Sequence, residues 1–553
     1  MRYFLVVIII LFIYLPWFQF SKTLSSGDWP YLFVENIQAF KIPTDLPFLW
    51  LEPYYQLTAK LGVQFFSLPW EAAEKIFWFF PFLVISLVSS YFFLKYLAYK
   101  FEIDGKESTI FISLGKIIFT ANTYILMLVG GGQMGVAIAY SMIPLVFLFF
   151  LKLIDSNSSS SLNSKFKIQN SKLYIFAILA LGTQLMFDPR IFLLSVFIAA
   201  LYILFRYKEF NVKILKRILV VLVLTIATNL FWILPNFGYF NTEYKSAIDA
   251  ANADFLSFAT FSNSISLLHP NWPENIFGKI GFMKPEFILI PIIAFSSLIL
   301  GNSTMKQFNN RIVLFFAFLG ILGAFFAKGT NPPFGELYGW LSNFPGFSVF
   351  RDPTKFYILI AVSYMVLIPL SLYKLSEKVS SIKYPPFAKA LAGRQVLSIV
   401  FMAFWLITIH PAMLGNLTGT FKPHDVPKEY ISLKNFLYSQ TAFTKTLWVP
   451  QIERFGFNSR TIPAISSMEL FGVSSVSEVL DKFNTLETKK QLIDEEVKYI
   501  IIPYDYLKEL FLTERKYDEK LYTATINKLG KVNWLSEMES KSFGKIKVFK
   551  LLD

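Results

Sequence analysis

The sequence predicts an α-helical polytopic membrane protein of about eleven transmembrane helices, ending in a small α/β domain outside the membrane. Three observations predict it. Apolar residues make up 54 % of the 553 residues and charged residues only 16 %, where globular domains carry about 25 % charge. Apolar runs of about 18 residues recur through the first 420 positions. From 421 onward aromatic density falls and charge density rises.

The apolar runs lie at 3–20, 76–94, 108–128, 134–151, 173–187, 190–205, 218–234, 286–301, 312–327, 356–373 and 395–413. The first is read as a span and not a signal peptide, because no small-residue cleavage site follows it. The net charge is +14. Residues 1–420 hold 32 Lys+Arg against 20 Asp+Glu, and 421–553 hold 20 against 18. The basic excess therefore belongs to the hydrophobic part. With the N-terminus inside, the inner segments carry 20 basic residues and the longer outer ones 11. That asymmetry is the positive-inside bias, and eleven spans then put the tail outside.

The loops differ in character. The inner ones are short, and 155–164 (DSNSSSSLNS) reads as a flexible linker. The outer ones, 21–75, 235–285 and 328–355, are long, aromatic and proline-rich. Trp29, Trp50, Trp70, Trp272 and Trp340 suggest segments lying at the membrane interface. The membrane domain is thus 1–420 and the soluble domain 421–553. In the latter, VKYIIIP (497–503) reads as a buried strand, 505–528 as a helix and GKIKVFKLL (544–552) as a half-buried strand. It has no phosphate loop or paired-carboxylate motif and reads as a binding or docking module.

Composition excludes several chemistries. Without cysteine there is no disulfide, zinc ribbon, iron–sulfur cluster or thiol catalysis. Three scattered His make no polyhistidine metal site. No diacid motif supports a divalent cation, so no cofactor is assigned. No clustered basic face supports a nucleic-acid partner.

The candidate residues fall on the outer side. In SSGDWPY, Asp28 lies about eight residues beyond the first span, held by Gly27 and Trp29-Pro30. It reads as a reactive acid at the membrane surface or as the N-cap of an interfacial helix. Glu52 in LEPYYQ is a second acid of that loop. FDPR (187–190) joins spans five and six. Asp188 and Arg190 there are either a mutual ion pair capping the turn or a carboxylate and a cation facing an outer cavity. In FRDPTKF (350–356), Arg351 and Lys355 are four apart and would share a helix face at an N-terminus that favours anions. The bland reading is an interfacial basic pair on lipid headgroups, with Asp352 as a structural cap before Pro353. LLHPNWPEN (267–275) adds His269, Trp272 and Glu274, although a lone His is more often structural. GGGQ (130–133) reads as a plain hairpin turn, and Lys116 as a snorkelling lysine.

GDWP, FDPR, HPNW and FRDPTK share one side under a topology fixed by unrelated Lys and Arg counts. Cations that hold phosphate, aromatics that stack on sugars and a carboxylate that takes a proton suit a lipid-phosphate-linked substrate.

With SSGDWPY, TANTYILMLVGGGQMGVAIAYSMIPLVF (120–147), FDPR, FRDPTKF and the tail VKYIIIPYD…KIKVFKLLD, the chain resembles the GT-C superfamily of membrane glycosyltransferases. The likeness is nearest to the arabinofuranosyltransferase-like branch and the YfhO-type membrane proteins. It implies transfer of a sugar from a polyprenyl-phosphate donor, at the outer membrane face, to a glycan, lipid or protein acceptor. It implies Asp28 as general base, with Arg351 and Lys355 meeting the donor phosphate. Asp188 and Arg190 match only by position. Membrane lipids are the other expected partners. The rival readings are a transporter or flippase of a lipid-linked sugar, which would need ionisable residues deep in the spans, and a non-enzymatic envelope-assembly scaffold.

Overall fold

A computed structural model describes residues 2–25, 29, 33, 51–155, 170–207, 211–236, 256–267, 285–300, 307–344, 347–381, 394–414, 422–440, 443–453, 455–459, 461–473, 475–506, 518–538 and 541–552. The chain forms two compact units, one of residues 1–18 and 75–419 and the other of 19–74 and 420–553.

The first unit is helical. Among the described residues, seven helices of the chain are long and apolar enough to cross a membrane: Trp70–Lys100, Gly105–Gly130, Met134–Asp155, Val212–Leu234, Asn310–Ala327, Pro353–Lys378 and Val396–Met413. Four shorter apolar helices, Phe4–Trp17, Lys172–Phe187, Pro189–Phe205 and Glu286–Ile299, occupy the remaining apolar runs. The chain is an integral membrane protein.

Burial separates centre from rim. Gly105–Gly130, Met134–Asp155 and Pro353–Lys378 are each 94 % buried over their apolar windows, against 28 % for Val212–Leu234 and 22 % for Val396–Met413. On the rim helix Leu215, Leu219, Val223, Ile226, Leu230 and Leu234 are exposed at spacings of three and four, the stripe a lipid-facing helix presents.

Two central spans are broken, where the sequence suggested continuous helices. Gly105–Thr120 ends and Thr123–Gly130 restarts at Asn122, whose Oδ1 accepts from the Ile125 N–H at 3.0 Å. The break frees backbone carbonyls in an apolar interior, where each needs a donor. Tyr14 Oη donates to the Thr120 carbonyl at 2.7 Å and Trp405 Nε1 to that of Ala121 at 2.9 Å. The second break falls at Met142, between Met134–Ser141 and Ile143–Asp155. The central helix Tyr357–Ser381 carries Pro369 in its interior, so the Met365 carbonyl loses its i+4 donor. Gly115 packs there, and a Cβ on it would lie 2.5 Å from the Met365 oxygen. Glycine is what lets the two backbones approach. Lys116 is buried beneath the Tyr91 ring, 5.7 Å from its centroid, and does not snorkel to the surface.

The second unit is built on a five-stranded sheet ordered β4-β3-β5-β7-β6, with β3 Lys445–Trp448, β4 Ala464–Ser466, β5 Val497–Ile502, β6 Leu535–Glu537 and β7 Lys547–Leu551. β3 runs parallel to β4 and β5, while β7 runs antiparallel to β5 and β6. Both faces of β5 are buried. Ile500 and Ile502 pack with Val479, Leu492 and Leu529 from three helices, and Tyr499 and Ile501 with Tyr430, Leu433 and Leu437 of Lys428–Tyr438. A strand covered on both faces has no polar side to alternate, hence the apolar run YIII after Lys498. Of the stretch 505–528 expected to be helical, Glu519–Leu529 is a helix, and 507–517 lie outside the described residues.

Residues 19–74 cluster with this unit, although the sequence suggested a loop of the membrane domain. β1 (Thr23–Ser25) pairs antiparallel with β2 (Lys422–His424). Glu74 is fully buried, accepting from the Leu24 N–H at 2.5 Å and from Trp29 Nε1 at 3.3 Å. Trp29 and Trp70 are therefore interior side chains of a protein core and not interfacial anchors, whereas Trp340 is 57 % exposed. Trp50 and Trp272 lie outside the described residues.

Candidate functional site

The two Asp-Pro motifs fold in the same way. In FDPR, the helix Asn170–Phe187 stops because the residue before a proline disfavours helical torsions. Asp188 becomes the N-cap of Pro189–Phe205, accepting from the Arg190 N–H at 2.8 Å and the Ile191 N–H at 3.3 Å, with Pro189 at N1. Arg190 folds back over it, Nε to Oδ1 at 3.1 Å and Nη2 to Oδ2 at 2.6 Å, a two-pronged ion pair. Asp188 is 1 % exposed. Its Oδ1 accepts from the two cap N–H groups and Arg190 Nε, and its Oδ2 from Arg190 Nη2.

In FRDPTKF, Asp352 caps the 3₁₀ turn Pro353–Phe356, its Oδ1 accepting from the Thr354 N–H at 3.0 Å and Thr354 Oγ1 at 2.5 Å. Its Oδ2 lies 3.1 Å from Lys355 Nζ. The expected shared face of Arg351 and Lys355 does not form. The helix Tyr357–Ser381 starts only after Lys355, and in a 3₁₀ turn the superposed positions are three apart, not four. Lys355 therefore pairs with Asp352. Lys355 is 1 % exposed, so it is an interior cation and not a headgroup-facing one, while Arg351 is half-buried.

These motifs meet. The helix Pro189–Phe205 packs against both the Pro353–Phe356 turn and the helix Met134–Ser141. Lys355 Nζ donates to Gln133 Oε1 at 3.0 Å, across 222 positions of sequence. Gln133 belongs to GGGQ, so that turn is more than a plain connection. Tyr124, fully buried, stacks on Tyr357 with centroids 5.5 Å apart and planes 10° apart. It lies in the electrostatic field of both Asp352 and the Asp188–Arg190 pair. Tyr338 donates to the Phe350 carbonyl at 2.6 Å. Burial, and then the Asp352 charge, push its phenol well above the ordinary range.

Lys328 is a further cation at this end, beside a glycine whose Cβ would lie 2.9 Å from Pro353 Cγ. It is fully buried, donates to the Asn331 carbonyl at 2.6 Å, and has its pKa pulled down by burial. The assembly combines helix N-termini, which favour negative charge, with two ion pairs and the additional cations Arg351 and Lys328. It is equipped to hold an anion at the end of an apolar bundle.

Of the residues singled out in the sequence, Asp188, Arg190, Arg351 and Lys355 are found on this assembly. Asp28, His269 and Trp272 lie outside the described residues, as does the side chain of Glu52. Gln133 was read only as part of a plain turn, and Tyr124 and Lys328 were missed. Spacing carried no signal for them, because each reaches the site through packing between distant segments.

No family model and no curated protein matches the sequence. Among solved structures, the oligosaccharyltransferase of Archaeoglobus fulgidus in the apo form is similar at 15 % identity and TM-score 0.48, covering 90 % of this chain and 69 % of its own. ArnT from Cupriavidus metallidurans is similar in the apo state, at 11 % identity, TM-score 0.47, and coverage of 99 % and 96 %. Its form bound to undecaprenyl phosphate is similar at 9 % identity, TM-score 0.48, and coverage of 99 % and 97 %. TM-scores of 0.47 and 0.48 fix neither a family nor a residue correspondence for this chain.

Proposed function

We propose that the chain is an integral membrane glycosyltransferase of the GT-C kind, near the arabinofuranosyltransferase-like and YfhO-type proteins. It moves a sugar from a polyprenyl-phosphate donor to a cell-envelope glycan, lipid or protein acceptor. The observation that carries this reading is the meeting of two Asp-Pro-cation caps, with a buried Lys355, at one end of the apolar bundle. A lipid-linked phosphate keeps its tail in hydrocarbon and its charge at the bundle end, where cations and helix N-termini stabilise it. In the proposed step Asp28 takes the acceptor hydroxyl proton, and the acceptor oxygen attacks the anomeric carbon. The bond to the phosphate oxygen breaks with inversion, and Lys355 and Arg351 stabilise the departing polyprenyl phosphate. The basic-residue asymmetry supports an N-terminus inside and this end outside. Reporter fusions at Asp155 and Glu377 should then read inside and one at Ser439 outside.

The decisive test is transfer itself. The full chain in lipid nanodiscs is incubated with polyprenyl-phosphate sugars and envelope glycolipids, and products are weighed by mass spectrometry. An acceptor gaining one sugar residue is expected, and Asp28→Asn should slow turnover by at least about a hundredfold without loss of fold. Donor binding with no transfer, accompanied by movement of the lipid-linked sugar between leaflets, would replace the enzyme reading by the flippase one.

A further inference from the structure

The turn that carries Gln133 is closed by backbone hydrogen bonds. Gly132 adopts φ +74°, and the N–H groups of Gly131, Gly132 and Gln133 bond to the carbonyls of Met127, Val129 and Leu128 at 2.9, 2.9 and 3.0 Å. Gln133 occupies the N-cap position of Met134–Ser141 but makes no side-chain cap there. Its carboxamide reaches Lys355 instead. An ammonium offers only donors, so the atom facing it is the carbonyl oxygen.

The choice of a neutral acceptor has a consequence. Lys355 Nζ has three N–H bonds to satisfy while 1 % exposed. Asp352 Oδ2 and Gln133 Oε1 stand at 3.1 and 3.0 Å. Asp352 already balances the positive charge. A second carboxylate in place of Gln133 would satisfy the same N–H, but it would leave the group with a net negative charge facing any incoming anion. A carboxamide fixes the direction of the ammonium without cancelling its pull on a phosphate.

We infer that Gln133 is a positioning residue that aims the Lys355 ammonium at the phosphate of a lipid-linked ligand and keeps the site's charge receptive to it. This rests on the proposed reading of the site. Gln133 acts through Lys355 and requires no contact with the reacting atoms.

The test compares Gln133→Glu, Gln133→Met and Lys355→Gln in the full chain in nanodiscs, titrated with undecaprenyl phosphate and followed by tryptophan fluorescence and by thermal unfolding. Gln133→Glu keeps the acceptor oxygen and can form an ion pair with Lys355, so a purely structural role predicts parent-like stability and parent-like binding. Positioning predicts parent-like stability with phosphate binding weakened at least about tenfold, the size of a lost charge-assisted contact. In transfer assays the donor KM should rise by a similar factor, and kcat should fall as well because Lys355 also stabilises the departing phosphate. Gln133→Met, which removes the acceptor without adding charge, should weaken binding by about threefold, and it decides the matter if the Glu variant does not fold. Parent-like binding in the Gln133 variants, with binding lost in Lys355→Gln, overturns this inference and leaves the donor reading standing. Parent-like binding in Lys355→Gln as well overturns both.

Discussion

The helix Pro189–Phe205 carries a charged cluster at each end, and the two clusters are built on opposite logic. At its start Asp188 and Asp352 each cap a helical N-terminus and each holds its own cation. Just past its last residue, Arg206 meets Asp155, Nη1 to Oδ1 at 2.9 Å. At about 1.5 Å per residue the clusters stand about 26 Å apart, close to the thickness of a bilayer's hydrocarbon core. At the far end Lys100 closes the helix Phe80–Lys100 and lies 2.8 Å from Asp155 Oδ2, which also accepts from Tyr96. Asp155 is the last residue of its own helix. Three helix C-termini therefore meet there. C-terminal dipoles favour Lys100 and Arg206 and disfavour Asp155, so the acid depends on the two cations and joins them. One carboxylate serving two cations is a closed clamp. Paired caps instead give each cation its own carboxylate, with the neutral Gln133 as the second partner of Lys355.

The comparison is broken most directly at its single shared atom group. Asp155→Ala leaves two cations facing each other in a mostly buried place, and should destabilise the chain by about 3–5 kcal/mol. Thermal unfolding in detergent should show it, with activity falling only in step with the folded fraction. If Asp155→Ala unfolds like the parent, the far cluster is no clamp. Next in size is Asp188→Asn, which can keep the Oδ1 cap but loses the two-pronged pair with Arg190. The expected loss is about 1.5–3 kcal/mol, with activity falling further than stability if Arg190 also serves the ligand. The smallest stability effect is expected for Lys355→Gln, about 1 kcal/mol, because Asp352 retains its bonds to Thr354. Its donor KM should nevertheless rise about tenfold or more. Lys355→Gln with a large stability loss and an unchanged KM would make the two ends alike, both of them structural.

The legible part of this protein is what depends on local pattern. The eleven apolar runs each coincide with an apolar helix, because hydrocarbon demands long stretches of apolar side chains whatever their neighbours do. VKYIII and KVFKL declared themselves as strands by composition and alternation. Asp188 and Asp352 were legible as caps, since Asp-Pro carries its own backbone instruction. Other features depended on which segments meet. Residues 19–74 join 420–553 through β1–β2 pairing and the packing of Phe33 against Phe457, which no window of sequence can display. Lys355 looked like a surface cation until the 3₁₀ turn set it over Asp352 and the central helix buried it. Gln133 looked like a turn residue until packing brought it to Lys355. The sequence by itself determined where the apolar helices lie, the strands Val497–Ile502 and Lys547–Leu551 and the two Asp-Pro caps, because torsional preference and hydrophobic period act within a few residues. Only the tertiary structure decided which charge faces which, because an ion pair is set by distances between helices that the chain joins far away.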